Sequence, residues 1–353
     1  MLGSGTALDG RMLLLIERAV LASPVPLITR SEARMLGITL RASTHVRLRR
    51  GIYAPKHAFL RLKAWQRYAA RVHAFARSRP DAVLCLESAA VLHGMPVFGH
   101  PRDIHVFDPD LKTSQRSGDV CVHTSADPRE ITVVAGVRVT SLLDTAADLA
   151  RALQPARALA VVDSAISPAQ GGSLSVSDIM ARSRSQNGSR GRAMLRWVCE
   201  RADPRAESPS ESVSRAIIEW SGFEEPELQR EFHYDGSDDR VDFHFPSTRV
   251  VGEADGWGKY HLEDADEAAE RLRAEKRREN RLRRHGHPVA RWELADAWKI
   301  DPLVGALRAA GLRPQHPVQP EMLASLSDRR RDRLPPHPSS LRGTSVPARD
   351  GVQ

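Results

Sequence analysis

The stretch from Arg240 to Tyr260, RVDFHFPSTRVVGEADGWGKY, constrains the fold most. In its first part Val241, Phe243 and Phe245 alternate with Asp242 and His244. In its second part Val250, Gly252 and Ala254 alternate with Val251, Glu253 and Asp255. Side chains of a strand change face at every residue, so the pattern predicts two neighbouring strands. Asp242 then points away from its apolar neighbours, and Glu253 and Asp255 share a face. Gly256 follows at a turn. Paired as a hairpin, the strands bring three carboxylates to one end of a sheet. Like charges held that close repel unless a cation or a proton sits between them.

The chain of 353 residues is long enough for two or three domains. Its net charge of +8 points to a polyanionic partner. Cys85, Cys121 and Cys199 are isolated and odd in number, which fits neither a disulfide framework nor a zinc knuckle. That usage suits a reducing cytoplasm. No apolar run approaches a membrane span. The run from Met12 to Ile16 is broken by Glu17 and Arg18, and reads as a helix face rather than a signal peptide.

Residues 1–60 read as three short helices followed by a hairpin, the order of a winged helix. Arg11 to Leu21 forms the first helix. Thr29-Arg30-Ser31-Glu32 is a capping box opening the second, which Gly37 closes. Thr39 caps a third running to about Val46, and LRRGIYA gives two strands around Arg50-Gly51. Arg41, Arg47, Arg49, Arg50 and Lys56 fall on the third helix and the wing, where they suit a major groove and phosphates. A solvated basic face is the alternative. The segment PLITRSEARMLGITLRASTHVRLRRGIYAP resembles the N-terminal winged-helix domain of the AbiEi family of antitoxins, most specifically in LRRGIYAP. The resemblance implies operator binding and autoregulation, with DNA and a nucleotidyltransferase-like toxin, or its gene, as partners.

Residues 61–167 read as a middle α/β block. A helix from Lys63 to Arg77 carries Trp65, Tyr68, Val72 and Phe75 at core spacing, and DIHVF, DVCVH and ITVV are short alternating strands. The block resembles the middle region of the same antitoxin-like proteins through CLESAAVLHGMP and GVRVTSLLDTAADLA. His93, His100, His105 and His123 are scattered singly and read as satisfied or exposed rather than as metal ligands. Asp144 and Asp148, one helical turn apart, read as a solvated face. Residues 168–192 have the Gly, Ser, Gln and Arg content of a linker, interrupted by a short helix at Val176 to Ala181.

Residues 193–313 open with helices, the second of which begins at the capping box Ser208-Pro209-Ser210-Glu211. Glu211 either caps its own helix or hangs over the acidic strands as a further ligand. Beyond the hairpin, Glu263 to Arg284 is a long charged helix rich in arginine, PVARW a final strand, and Trp298 to Leu312 a last helix. Pro, Ser and Arg dominate 314–353, the composition of a disordered tail. The pieces ESPSESVSR, RVDFHFP, VVGEADGWGKY and AEKRRENRLRRHGHPVARW, in this order, resemble the PD-(D/E)XK nuclease fold in the branch related to very-short-patch-repair endonucleases. The resemblance implies a restriction-endonuclease-like α/β domain that cuts DNA with Mg²⁺. Asp242 and Glu253 would hold the ion, Asp255 would add a ligand or order a water, and Lys276, Arg277, Arg278 and Arg281 would track the backbone. The family pattern places a lysine two residues after the Glu. Here that position is Asp255, and Lys259 or Lys276 would reach in instead. The expected class is therefore α/β (α+β) in three parts. Two functions stay open: a Mg²⁺-dependent DNA endonuclease, or an antitoxin-like transcriptional regulator on a catalytically degenerate nuclease scaffold.

Overall fold

The computed structural model describes residues 19–98, 102–255 and 265–326. Most of the expected first helix, His100, Gly256, Lys259 and residues 327–353 lie outside the described residues.

The N-terminal unit is a small sheet of β1 (Ile28–Thr29), β2 (His45–Arg49) and β3 (Ile52–Pro55), in the order β1-β3-β2. The helix Arg30–Met35 follows β1. Its capping box forms as expected: the Thr29 amide donates to Glu32 Oε2 at 2.8 Å, and the Glu32 amide to Thr29 Oγ1 at 3.2 Å. The expected third helix is reduced to one turn, in which the Thr44 and His45 amides donate to the Arg41 carbonyl at 3.0 and 2.8 Å. The reason is periodicity. Val46 and Leu48 are two residues apart and pack together beside Val25 and Ala54, which a strand allows and a helix does not.

The middle block is a six-stranded sheet. Its strands are β4 (Val83–Leu84), β5 (Ile104–Phe107), β6 (Gln115–Ser117), β7 (Val120–His123), β8 (Ile131–Val134) and β9 (Val137–Thr140), in the order β6-β7-β5-β4-β9-β8. The helix Ala64–Ser78 buries Tyr68, Val72 and Phe75 as its spacing predicts, but Trp65, in its first turn, stays 41% exposed. The Tyr68 hydroxyl lies 2.8 Å from Ser88 Oγ and donates to the Asp103 carbonyl at 2.9 Å. His105 and His123 are not scattered singly. Their rings stack, with Nδ1 of one 2.9 Å from Nε2 of the other.

Residues 168–192 are built into the body rather than spanning between bodies. Ser175 caps the helix Val176–Ser185, and Gln170, Ile179, Ser183 and Gln186 are buried. Small polar residues here serve as caps and buried hydrogen-bonding groups, which composition alone does not distinguish from a spacer. Asp144 and Asp148, expected on a solvated face, hold this segment and its neighbour. Asp144 is 2% exposed and 2.5 Å from Arg182 Nε, and Asp148 is 2.8 Å from Arg129 Nε. One apolar core runs from Val83 to Leu326. Within it the helix Pro155–Ile166 faces the helix Pro209–Trp220, and Arg215 pairs with the buried Asp163 at 2.8 Å.

The last sheet contains β10 (Glu227–Tyr234), β11 (Ser237–Phe245), β12 (Val250–Asp255) and β13 (Val289–Glu293), in that order. The first three form an antiparallel meander. The helix Ala265–Arg284 then crosses to β13, which runs parallel to β12. Val241, Phe243 and Phe245 are fully buried, as their alternation predicts. Gly252 cannot carry a side chain, because a Cβ there would lie 2.7 Å from the Trp292 ring. Part of the expected disordered tail is docked: the Gln315 and His316 amides donate to the Gly222 carbonyl at 2.7 and 2.9 Å, ahead of the helix Pro320–Ser325.

Candidate functional site

Two charged regions stand out. The first is the acidic cluster at the start of the helix Pro209–Trp220 and the middle of the last sheet. Glu211 occupies the third helical position, where its amide donates to the cap oxygen of Ser208 at 3.2 Å. Its carboxylate returns the bond: Oε1 accepts from Ser208 Oγ at 2.7 Å, and Oε2 from the Glu207 amide at 2.9 Å. Gln229 completes the set, donating Nε2 to Oε2 at 2.9 Å. Gln229 lies at φ 54°, where the pairing of β10 with β11 skips between Leu228 and Arg230. The register is the same on both sides, so no residue is inserted and Gln229 is a local left-handed kink within the strand. Glu211 therefore caps its helix and also faces Asp242. Burial first, and then the Asp242 charge, push its carboxyl up to about 8.

The other two carboxylates are turned to partners within the protein. Asp242 Oδ2 accepts from the Ala254 amide at 2.9 Å across the β11–β12 pair. Glu253 is 3% exposed, and its Oε1 lies 2.9 Å from Arg278 Nη2. Burial works against the Arg278 charge, but Glu253 and Glu275 outweigh it and raise the Arg278 pKa. The hard oxygens are of the type that Mg²⁺ takes. Among the described residues, however, no three or more His, Cys, Asp or Glu side chains are placed to hold a metal. In this arrangement Glu253 is engaged by the Arg278 guanidinium and Asp242 by a backbone amide. Asp255 ends β12 opposite Glu293, and its side chain lies outside the described residues, as does all of Lys259.

The basic helix next to this cluster is largely neutralised from within. Arg281 Nε and Nη2 bind the buried Asp239 at 2.7 and 2.6 Å. Arg283 pairs with Glu279 at 2.8 Å and Arg284 with Asp235 at 2.9 Å. Arg278 takes Glu275 as well as Glu253, and its Nη1 donates to the Arg240 carbonyl at 2.8 Å. Lys276 and Arg277 are exposed and carry no ion pair among the described residues. The Glu275 and Glu279 pairings were legible as three- and four-residue spacings on a helix. Nothing local marked Asp239.

The second region is the N-terminal sheet. Arg41, Arg47, Arg50 and Lys56 are exposed, and Lys56 Nζ donates to the Ala42 carbonyl at 3.2 Å. Arg41, Arg47 and Arg50 carry no ion pair among the described residues. Arg49 does not join them: it is turned inward, 2.6 Å from Asp119 Oδ1 and 5.5 Å from the centre of the Phe75 ring. Sequence reasoning missed Arg30, which is exposed and donates Nη2 to the Tyr53 hydroxyl at 3.1 Å. Tyr53 sits opposite Arg47 in the β2–β3 register, so Arg30 extends the same basic face.

Comparison with known proteins bears on the block between the two regions. Residues 82–200 match the family model of the AbiEi antitoxin C-terminal domain. That span takes in the six-stranded sheet and the segment whose composition suggested a linker. Two uncharacterized proteins of Mycobacterium tuberculosis, MT2308 of strain CDC 1551 and Rv2248 of strain H37Rv, are each 34% identical over 173 residues. The alignment covers 49% of this chain and 62% of each of those proteins. The chain thus spans about three fifths of the length of these curated relatives.

Proposed function

We propose that the chain is a DNA-binding regulator of the antitoxin type, acting in a toxin–antitoxin or abortive-infection setting. One observation carries this reading: three arginines without ion pairs among the described residues, Arg41, Arg47 and Arg50, lie exposed on β2 and the turns flanking it, ahead of the block that matches AbiEi antitoxins. Exposed guanidinium groups with no internal partner are available to phosphates, and releasing counterions drives such binding. The strand–helix–turn–hairpin order, with β3 between β1 and β2, suits a winged-helix unit with a shortened recognition element. A nucleotidyltransferase-like toxin, or its gene, is the partner that the family resemblance suggests. The described residues include no helix long and apolar enough to cross a membrane, and action in the cytoplasm belongs to the same proposal. The test is binding to DNA upstream of the chain's own gene as salt is varied. Arg47→Ala and Arg50→Ala should each weaken binding and flatten the salt dependence. Binding that ignores both substitutions would refute the reading.

A second reading, a nuclease-like domain in the C-terminal half, is favoured by the arrangement of that half. A helix, an antiparallel three-strand meander, a crossing helix and a parallel fourth strand follow in turn, and Glu211 meets Asp242 beside them. That order supports a restriction-endonuclease-like fold. Cleavage is a separate question, because Glu253 is engaged by Arg278. Nicking of supercoiled DNA across divalent metals, lost in Glu253→Ala, would establish an endonuclease. Absence of cutting with every metal would leave this half as a scaffold.

A further inference from the structure

The register of β2 against β3 shifts between Arg47 and Arg49, so Leu48 is an extra residue in the ladder. Without that bulge Arg47 and Arg49 would share a face. With it Arg47 stays exposed, and Arg49 turns into the body with a side chain only 14% exposed. There Arg49 Nη1 donates to both oxygens of Asp119, at 2.6 and 2.7 Å. Its Nε and Nη2 are buried without a hydrogen-bond partner in the described residues. Among the described residues, Asp119 is the one anionic group paired with this guanidinium. Arg71, from the helix Ala64–Ser78, donates Nη2 to Asp119 Oδ2 at 2.7 Å. Asp119 itself sits in the turn between β6 and β7, and its carbonyl accepts from the Ile104 amide at 2.7 Å. One carboxylate thus joins the wing strand, a helix and the large sheet.

Resting on the reading of the N-terminal sheet as a DNA-binding surface, we infer that Asp119 is the positioning residue for that surface. It holds Arg49, and through Arg49 it sets how Arg47 and Arg50 meet the phosphates. Arg49 is then an anchor and not a DNA contact. The middle block acts as a rigid mount whose hairpin turn decides DNA affinity without touching DNA.

The sign of the effect makes this testable. Removing a negative charge near a DNA-facing surface tightens binding if the carboxylate is a bystander. A positioning role gives the opposite. With a labelled duplex from upstream of the gene, Asp119→Asn and Asp119→Ala should each bind about tenfold more weakly at fixed salt. The slope of log K against log salt should stay at the wild-type value in both, and in Arg49→Ala. Arg47→Ala should lower that slope by roughly 1. Unchanged or tighter binding by Asp119→Asn overturns the inference, as does a reduced slope in Arg49→Ala. The DNA-binding reading fails separately, if wild-type protein shows no salt-dependent binding. Hydrogen exchange then decides the positioning claim alone. Amides of residues 45–55 should exchange about tenfold faster in Asp119→Asn, while β11 amides, as the folding control, do not change. Unaltered exchange in residues 45–55 overturns it.

Discussion

The N-terminal and C-terminal sheets both carry many arginines, and apart from the paired Arg49 on one and the exposed Arg277 beside the other they use them in opposite ways. On the N-terminal sheet Arg41, Arg47 and Arg50 face solvent without an ion pair among the described residues. Beside the C-terminal sheet Arg278, Arg281, Arg283 and Arg284 are each taken by a carboxylate of the same half. A run of basic residues is therefore open to an outside anion only where the fold supplies no acid to meet it. The helix Ala265–Arg284 looks the more basic of the two in sequence, yet much of its charge is spent on Glu253, Glu275, Glu279, Asp239 and Asp235.

This contrast can be broken by removing one arginine at a time. The largest effect should come from Arg278→Ala, which leaves Glu253 buried without its guanidinium; stability should fall by about 3 kcal/mol in denaturant titration. A loss below about 1 kcal/mol would mean that another charge or a proton steadies Glu253. Arg281→Ala exposes the same weakness at Asp239, which is 2% exposed, and should cost about 2 kcal/mol. Arg284→Ala removes an exposed pair with Asp235 and should cost under about 0.5 kcal/mol.

The mount of the N-terminal sheet should show a pH dependence of its own. His73 places Nε2 2.6 Å from the Val20 carbonyl, and His93 places Nε2 2.8 Å from the Thr140 carbonyl. Burial lowers both pKa values from the ordinary 6.5. Below that pH the unfolded chain takes up protons that the folded chain refuses, so the contribution is present above 6.5 and is lost as pH falls toward the folded values. Glu211, raised in the folded state, acts in the opposite sense over the same range, so the histidine contribution is read as a difference: from pH 8 to pH 5 the wild type should lose thermal stability relative to the variant His73→Gln with His93→Gln. A wild-type minus variant difference that does not change over this range would place charged imidazoles in the folded state.

What the sequence made legible was local. The cap at Ser208, the alternation of Val241, Phe243 and Phe245, and the turn at Arg50-Gly51 all follow from periodicity or capping chemistry within a few residues. What escaped was either a pairing across the chain or a single inserted residue. Arg49 and Asp119 are 70 residues apart, and Arg281 and Asp239 are 42 apart. The bulge at Leu48 alters the facing of Arg49 without altering composition. Residues 168–192 misled for a related reason, since caps and buried small polar groups have the composition of a spacer. Of the acidic cluster, the sequence brought out Glu211 as the cap of its own helix. It did not show that Arg278, placed by the crossing helix, takes Glu253.

The most direct measurement is the salt dependence of binding to upstream DNA, with a chelator present, for wild type, for Arg47→Ala with Arg50→Ala, and for Arg281→Ala. The expected result is metal-independent binding, a slope lowered by roughly 2 in the N-terminal double variant, and the wild-type slope in Arg281→Ala. A wild-type slope in the double variant, or a slope that drops only with Arg281→Ala, would place the DNA surface on the C-terminal helix and contradict this account.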